Sequence, residues 1–160
     1  MIRLDIPGFG AREISHLVCD YSGTLAFAGV IHPGVRARLV QLAGLVQVHV
    51  VTADTFGTAA RELAGLPVTL HLIAGDNHEE EKRTYALRLD PRRVAAVGNG
   101  NNDRLLLRAV RDAGGLAVAV DNGEGCAVEA ILSAHLLVHG AENALDLLLD
   151  TDRCRATLRL

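Results

Sequence analysis

Short apolar runs alternate along the chain with segments in which hydrophobic residues recur at helical spacing. Each run is nearly continuous in apolar residues, as is typical of a strand buried on both faces. This alternation predicts an α/β fold: a three-layer, doubly wound, Rossmann-like domain whose parallel sheet is covered by helices on both faces. The predicted strands are His16–Cys19, Val46–Val51, Val68–Ile73, Val94–Val97, Leu116–Val120 and Leu136–Val138. The predicted helices lie near Gly34–Leu42, Gly57–Leu63, Glu79–Leu89, Asp103–Arg111, Cys126–Leu132 and Ala141–Leu149.

The two ends of the chain are predicted to extend this sheet. Both Ile2–Ile6 and the tail Ala156–Leu160 carry enough apolar residues for a short edge strand. The sequence contains no linker, internal repeat or low-complexity stretch, so residues 1–160 are interpreted as a single domain.

Composition narrows the classes of function. The chain is 49% hydrophobic but only 3% aromatic, and its net charge is -3. With no basic block and few rings for base stacking, nucleic acid is not expected as a partner. No apolar run approaches the ~20 residues that cross a bilayer, so we expect no membrane insertion and a cytoplasmic location. Three cysteines without paired spacing and seven scattered histidines argue against a disulfide framework and a zinc site.

Polar residues gather where the predicted strands end. In an open parallel sheet, ligands bind at the carboxyl ends of the strands, so these residues are the candidates for a functional site. They are Asp20, Ser22, Gly23 and Thr24 after the first run, Thr52, Ala53 and Asp54 after the second, Lys82 past the third, and Asn99, Asn102 and Asp103 after the fourth.

The chemical character of these residues suits phosphoryl transfer, in which catalysis is mostly positioning and charge stabilisation. Asp20 can act as a carboxylate nucleophile. Gly23 lets the backbone turn and present N–H groups to an anion. Of the 16 Lys and Arg residues, only Lys82 is a lysine, which favours a role as a compact positive charge beside phosphate. Asp103 offers a hard oxygen ligand for Mg²⁺.

Four motifs in order resemble those of the haloacid dehalogenase-like superfamily. The segment Asp20–Leu25 is similar to its first motif, while Thr52, Lys82 and Gly98–Asp103 resemble the second, third and fourth. The resemblance covers roughly residues 15 to 150. Within the superfamily the chain is most similar to the phosphorylation domain of P-type ATPases, through the segments Thr52–Asp54, Thr58–Ala59, Glu79–Lys82 and Gly115–Glu129.

This resemblance implies a Mg²⁺-dependent phosphohydrolase or phosphotransferase that acts on a small phosphorylated substrate through an aspartyl-phosphate on Asp20. The implied catalytic residues are Asp20, Ser22, Thr52 and Lys82. The implied phosphate-binding residues are Gly23, Thr24, Thr52, Ala53 and Lys82. The implied metal ligands are Asp20, the carbonyl of Ser22, Asn99 and Asp103.

Two departures from the family pattern affect the expected rate and the expected metal affinity. Ser22 stands where most phosphatases of the superfamily carry a general acid/base aspartate, a helper worth ~10² to 10⁴ in rate. Slow turnover is therefore expected unless the leaving group is already good. Asn99 stands where the resemblance expects a metal-binding aspartate. An amide oxygen can ligate Mg²⁺ but brings no charge, so a weaker metal site is expected.

No segment is long enough for a cap domain. Only a short flap, Ala26–His32, and one helix separate Asp20 from Thr52. The site is therefore expected to be open to solvent unless a partner or a second copy covers it, and self-association is a hypothesis.

Several alternatives stay open from the sequence. The chain is either an enzyme, or a non-turnover module that binds phosphate and Mg²⁺ or accepts a phosphoryl mark. A detached regulatory subunit of a P-type membrane pump is a third hypothesis, and a bacterial receiver domain ranks lower because its acidic pair precedes the phosphorylated aspartate. Asp54 is equally a helix cap or a ligand, and Asn102 and Asp103 could also cap a helix. The rim residues Asp121, Asn122 and Glu124 receive no role.

Overall fold

Six parallel strands form the central sheet of the protein, whose computed structural model describes residues 1–160. Their order across the sheet is β5-β4-β3-β6-β7-β8, and every neighbouring pair is parallel. The strands are β1 (Ile2–Ile6), β2 (Gly10–Ile14), β3 (His16–Cys19), β4 (Gln47–Thr52), β5 (Thr69–Leu72), β6 (Val94–Gly98), β7 (Leu116–Asp121) and β8 (Leu136–His139). The predicted α/β fold class is confirmed.

Helices cover both faces of this sheet. The helices are α1 (Pro33–Ala43), α2 (Ala59–Glu62), α3 (His78–Arg88), α4 (Arg104–Ala113), α5 (Val128–Ser133), α6 (Ala141–Leu149) and α7 (Thr151–Leu158). Side chains alternate between the two faces of a strand. In β3, Leu17 and Cys19 therefore pack toward α1 and α6, while Val18 packs toward α3, α4 and α5. None of these helices is long and apolar enough to span a membrane.

The two ends of the chain differ from the prediction. Ile2–Ile6 is a strand, but it pairs with β2 in a separate antiparallel hairpin rather than at an edge of the main sheet. Buried and exposed residues alternate along β1, and the buried ones, Ile2, Leu4 and Ile6, pack into the hydrophobic core. The prediction of a strand over Ala156–Leu160 is wrong, because α7 runs through Leu158. Cys154 is buried and Leu158 partly buried in α7, and their four-residue spacing is that of a helix face.

The chain order reverses at β3. This strand lies between β4 and β6, so the segments that follow all three strands meet at one edge of the sheet. The register keeps their ends level, since Cys19 lies opposite both Val50 and Val97. The backbone N–H of Asp20 still donates to the carbonyl of Val97 at 3.0 Å. Asp20 is therefore held at the switch point where open α/β sheets bind ligands.

Candidate active site

Lys82 joins two buried carboxylates at this edge of the sheet. Its Nζ lies 2.9 Å from Oδ1 of Asp20 and 2.7 Å from Oδ1 of Asp103. The side chains of Lys82 and Asp103 are fully buried, and that of Asp20 is 6% exposed. Burying charged groups is costly unless they pair, so this buried cluster is a candidate functional site.

Helix α3 carries Lys82 and lies on the face of the sheet that is also covered by α4. Lys82 and Ala86, one turn later, are the buried residues of this helix. The helix packs against α4, and Arg104 at the start of α4 makes an ion pair with Glu79 at 2.7 Å. The acidic residues Glu79–Glu81 occupy the first turn of α3, where negative charge is stabilised by the helix dipole. The start of α3 is thus fixed against the loop that carries Asp103.

The charges in this cluster do not balance. Burial, followed by the charge of Asp103, raises the pKa of Asp20 to about 6, although Lys82 opposes the shift. Burial lowers the pKa of Lys82, but the two carboxylates outweigh it and raise that pKa to about 12. With both carboxyls ionised, one ammonium group faces two carboxylates. The site therefore has a net negative charge that a bound cation would offset.

Asp103 shapes the loop after β6. Its Oδ2 accepts hydrogen bonds from the backbone N–H groups of Asn99 and Gly100, each at 2.9 Å. A Cβ on Gly98 would lie 2.6 Å from Cγ of Asp103, so a glycine is required there. Both oxygens of Asp103 are therefore engaged, one by Lys82 and one by its own loop. Asn102 lies in the same short turn, Asn101–Asp103, and its Oδ1 would lie 2.7 Å from a Cβ on Gly100.

Thr24 connects the turn after β3 to the loop after β6. Its hydroxyl donates to Oδ1 of Asn99 at 3.0 Å and lies 3.5 Å from Oδ2 of Asp20. The amide nitrogen of Asn99 donates to the carbonyl of Gly125 at 3.3 Å. Asn99 is therefore the residue through which the turn after β3, the loop after β6 and the loop after β7 come together.

The turn after Asp20 needs its glycine and leaves a hydroxyl unpaired. Gly23 has a φ of +73°, and a Cβ there would lie 2.5 Å from Nδ2 of Asn99. Oγ of Ser22 is buried and has no hydrogen-bond partner. A buried hydroxyl without a partner costs free energy, so this atom is suited to meet a ligand or a water. The flap that follows is a small hairpin, with a bridge between Phe27 and Val30.

Thr52 ends β4, the strand next to β3, whereas the side chain of Asp54 is bonded to the start of α2. Thr52 is 2% exposed, and its Oγ1 accepts a hydrogen bond from the N–H of Asp54 at 2.9 Å. Oδ1 of Asp54 accepts from the N–H groups of Thr58 and Ala59 at 3.0 and 3.1 Å. This geometry favours the helix-cap alternative for Asp54. Ala53 lies between them and is partly exposed.

The loop after β7 carries a carboxylate to which the sequence analysis gave no role. Oε1 of Glu124 accepts a hydrogen bond from the N–H of Ala28 in the flap at 3.0 Å. Its Oε2 would lie 3.1 Å from a Cβ on Gly23. The signal available in the sequence was its place after a strand on the same side of the sheet, but only the fold brings it beside Asn99.

The donor set is compatible with Mg²⁺ but not with a metal held by side chains alone. No group of three or more His, Cys, Asp or Glu side chains is arranged around a common point. Mg²⁺ commonly uses one or two carboxylates and keeps several waters. Asp20, the carbonyl of Ser22 and the amide oxygen of Asn99 are oxygen donors of this kind. The unbalanced charge and the unpaired hydroxyl of Ser22 agree with such an ion and its water.

Comparison with known proteins identifies one sequence relative and several solved structures. No protein-family model matches the chain. An uncharacterised protein of Methanocaldococcus jannaschii is 41% identical over 68 residues, which are 42% of this chain and 69% of the archaeal protein.

Three of the structural neighbours are a phosphatase of Haemophilus influenzae, one of Moraxella catarrhalis and a hydrolase of Streptococcus pneumoniae. The cobalt-bound deoxy-D-mannose-octulosonate 8-phosphate phosphatase of H. influenzae is 16% identical, with a TM-score of 0.66 and 90% of each chain covered. The M. catarrhalis phosphatase, in complex with magnesium, phosphate and its sugar acid, is 14% identical, with a TM-score of 0.63 over 89% of this chain and 90% of that chain.

The S. pneumoniae protein is a haloacid dehalogenase-like hydrolase. It is 12% identical, with a TM-score of 0.59 over 83% of this chain and 97% of that chain. At these low identities the structural neighbours establish the fold, and the sequence relative establishes kinship. The chain therefore belongs to one family with the archaeal protein, and its fold is that of the haloacid dehalogenase-like superfamily.

Proposed function

We propose that this chain is a Mg²⁺-dependent phosphohydrolase that acts through an aspartyl-phosphate on Asp20. The observation that carries the proposal is the buried ammonium group of Lys82, which bridges Asp20 and Asp103 at the switch point of the sheet. A nucleophilic carboxylate beside a fixed cation is what the approach of an anionic phosphate requires.

In the first step, a carboxylate oxygen of Asp20 attacks the phosphorus atom of the substrate. A bond forms from Asp20 to phosphorus, the bond to the leaving-group oxygen breaks, and that oxygen keeps the electron pair. Lys82 stabilises the phosphate charge, together with the hydroxyl of Thr52. The backbone N–H groups of Gly23 and Thr24, expected from the sequence to face phosphate, donate instead to the carbonyls of Ala26 and Tyr21. Mg²⁺ would neutralise charge as the two anions approach, held by Asp20, the carbonyl of Ser22 and Asn99.

In the second step, water attacks the phosphorus atom of the aspartyl-phosphate. Phosphate leaves with the new oxygen, Asp20 recovers its carboxylate, and the water proton passes to solvent or to phosphate. Ser22 provides no carboxylate to take that proton or to protonate the leaving group. Both steps therefore lose a factor of about 10² to 10⁴ relative to a site with a general acid/base, and activated phosphates should be the better substrates.

The substrate we propose is a small phosphorylated molecule. Two structural neighbours are phosphatases of a sugar acid 8-phosphate, and one of them holds magnesium and phosphate; this supports the class of substrate and the cofactor. The closer likeness to P-type ATPases and the self-association of the chain stay predictions.

A turnover assay tests the proposal. The chain should hydrolyse acetyl phosphate or p-nitrophenyl phosphate slowly in Mg²⁺, and EDTA should stop the reaction. Asp20→Asn should abolish it, whereas Glu13→Gln, on the N-terminal hairpin, serves as a control that keeps activity. Absence of turnover across several divalent metals would contradict the proposal.

A non-turnover phospho-acceptor module is the second candidate. The serine at position 22 favours it, because loss of the general base slows hydrolysis of the aspartyl-phosphate most directly. Under this alternative, the chain would take a stable label from acetyl phosphate without releasing inorganic phosphate over many cycles.

A further inference from the structure

Glu124 carries a charge that no side chain of the protein neutralises. None of the ion pairs in the structure includes it. Oε1 accepts the N–H of Ala28 at 3.0 Å, and Oε2 makes no hydrogen bond. Asp5, Asp76 and Glu129 also make no ion pair, so what distinguishes Glu124 is its position, with Oε2 beside the turn at Gly23 that follows Asp20.

Contacts within the loop after β7 hold Glu124 beside Asn99. Oδ1 of Asp121 accepts the N–H groups of Gly123 and Gly125 at 3.0 and 3.1 Å, which fixes the turn around Glu124. The carbonyl of Gly125 accepts from the amide nitrogen of Asn99 at 3.3 Å. The turn around Glu124 is thus held in two ways: by the side chain of Asp121 within the same loop, and by the hydrogen bond from Asn99 to Gly125.

Glu124 and Asn99 meet at the same point of the turn after β3. A Cβ on Gly23 would lie 2.5 Å from Nδ2 of Asn99 and 3.1 Å from Oε2 of Glu124. Both side chains therefore lie against Gly23, three residues after the nucleophile Asp20. The free oxygen of Glu124 is on the side of the turn where Asn99 lies.

The formal charges around Asp20 suggest a role for Glu124 in binding a cation. The two carboxylates of Asp20 and Asp103 and the one ammonium group of Lys82 leave one net negative charge. Asn99, which stands where the resemblance expects an aspartate, adds no charge. Adding Glu124 brings the site to two negative charges, which match one divalent cation. We propose that Glu124 supplies the negative charge of the cation site that Asn99 lacks. This inference rests on the proposed function, since it concerns the same cation.

The substitution Glu124→Gln isolates the charge. Glutamine keeps an oxygen that can accept the N–H of Ala28, so the flap contact survives while the charge is lost. Glu124 is exposed, so the variant should unfold at the same temperature as the wild type in metal-free buffer. Glu13→Gln makes the same charge change in β2, where Glu13 pairs with Arg3, and serves as the matched control.

A Mn²⁺ titration measures the effect of the substitution on metal affinity independently of activity. The electron paramagnetic resonance signal of the free ion is lost as the ion binds, and its decrease reports the bound fraction. Replacing a group just outside the direct ligands of a metal typically costs about 10-fold to 100-fold in affinity. Glu124→Gln should weaken Mn²⁺ binding by this factor, Glu13→Gln should not, and adding Asn99→Asp to Glu124→Gln should restore most of the affinity.

The possible failures are distinguishable. If the wild type binds Mn²⁺ and Asp20→Asn does not, but Glu124→Gln binds as the wild type does, the inference is overturned and the proposed function stands. Failure of Asn99→Asp to restore affinity would also overturn the inference. If the wild type binds no Mn²⁺ and releases no phosphate, the proposed function and this inference both fail.

Discussion

Replacing Asp20, the proposed nucleophile, should make the fold more stable while it abolishes activity. Burial, followed by the charge of Asp103, raises the pKa of Asp20 from 3.8 to about 6. The ionised carboxylate is therefore less favourable in the folded protein than in the unfolded chain. Each pKa unit corresponds to about 1.36 kcal/mol, so ionised Asp20 costs the folded state roughly 3 kcal/mol.

The substitution Asp20→Asn removes this cost and keeps an acceptor oxygen for Lys82. The neutral amide makes a weaker hydrogen bond to Lys82 than a carboxylate does, so the expected net gain is roughly 1 to 3 kcal/mol in the free energy of unfolding. Lys82 remains paired with Asp103, which lies 2.7 Å away.

The pH dependence follows from the direction of the shift. Because the folded-state pKa of Asp20 is raised, the folded protein binds more protons than the unfolded chain between pH 3.8 and about 6. The free energy of unfolding of the wild type therefore falls as pH rises through this window and Asp20 ionises. The advantage of Asp20→Asn should be full above about pH 6 and should vanish below about pH 4.

Urea unfolding followed by circular dichroism, in EDTA at pH 8, 6 and 4, measures the difference. Asp5→Asn is the control, because Asp5 is exposed on β1 and surface changes usually stay within about 0.5 kcal/mol. A variant Asp20→Asn that is less stable than the wild type at pH 8 would refute the reasoning, as would a difference that does not shrink on acidification.

Three further changes test other parts of the site. Lys82→Met leaves Asp20 and Asp103 buried without their cation, so urea unfolding at pH 8 should show a loss of about 3 to 5 kcal/mol. Ser22→Asp restores a general acid/base and should raise the rate on p-nitrophenyl phosphate by about 10²-fold; an unchanged rate would contradict the account of slow turnover. Asp54→Ala should cost about 1 kcal/mol of stability through loss of the α2 cap but leave phosphoryl transfer unchanged, and a large loss of activity would return Asp54 to the site.

The central sheet could be predicted because its signal is local. Each apolar run from His16–Cys19 to Leu136–Val138 forms a strand in one parallel sheet. The polar residues after these runs also reach one edge, because a parallel sheet aligns the carboxyl ends of its strands. Lys82 stood out as the chain's only lysine.

The secondary structure of the two ends of the chain could not be predicted from such local patterns. The hairpin of β1 and β2 depends on the turn at Pro7–Gly8, a signal of two residues that competes with an edge-strand interpretation of Ile2–Ile6. The tail was too short for its helical spacing to be distinguished from a strand. Its helix α7 packs against α6 and β1, so tertiary contacts decide its conformation.

The role of single site residues was the hardest part to predict. Asp54 follows a strand as a ligand would, yet its oxygens cap α2. Glu124 is separated from Asp20 by most of the chain, and only the hydrogen bonds of the loops with Ala28 and Asn99 bring it to the site. Such contacts are not encoded in local spacing.

The most direct measurement of the central claim is the site of covalent phosphorylation. After brief incubation with acetyl phosphate and Mg²⁺ and an acid quench, intact-mass spectrometry should show the gain of one phosphoryl group, and peptide mapping should place it on Asp20. The label should be absent from Asp20→Asn and should disappear on treatment with hydroxylamine, which cleaves acyl phosphates. A label on another residue, or phosphate release that persists in Asp20→Asn, would contradict the account.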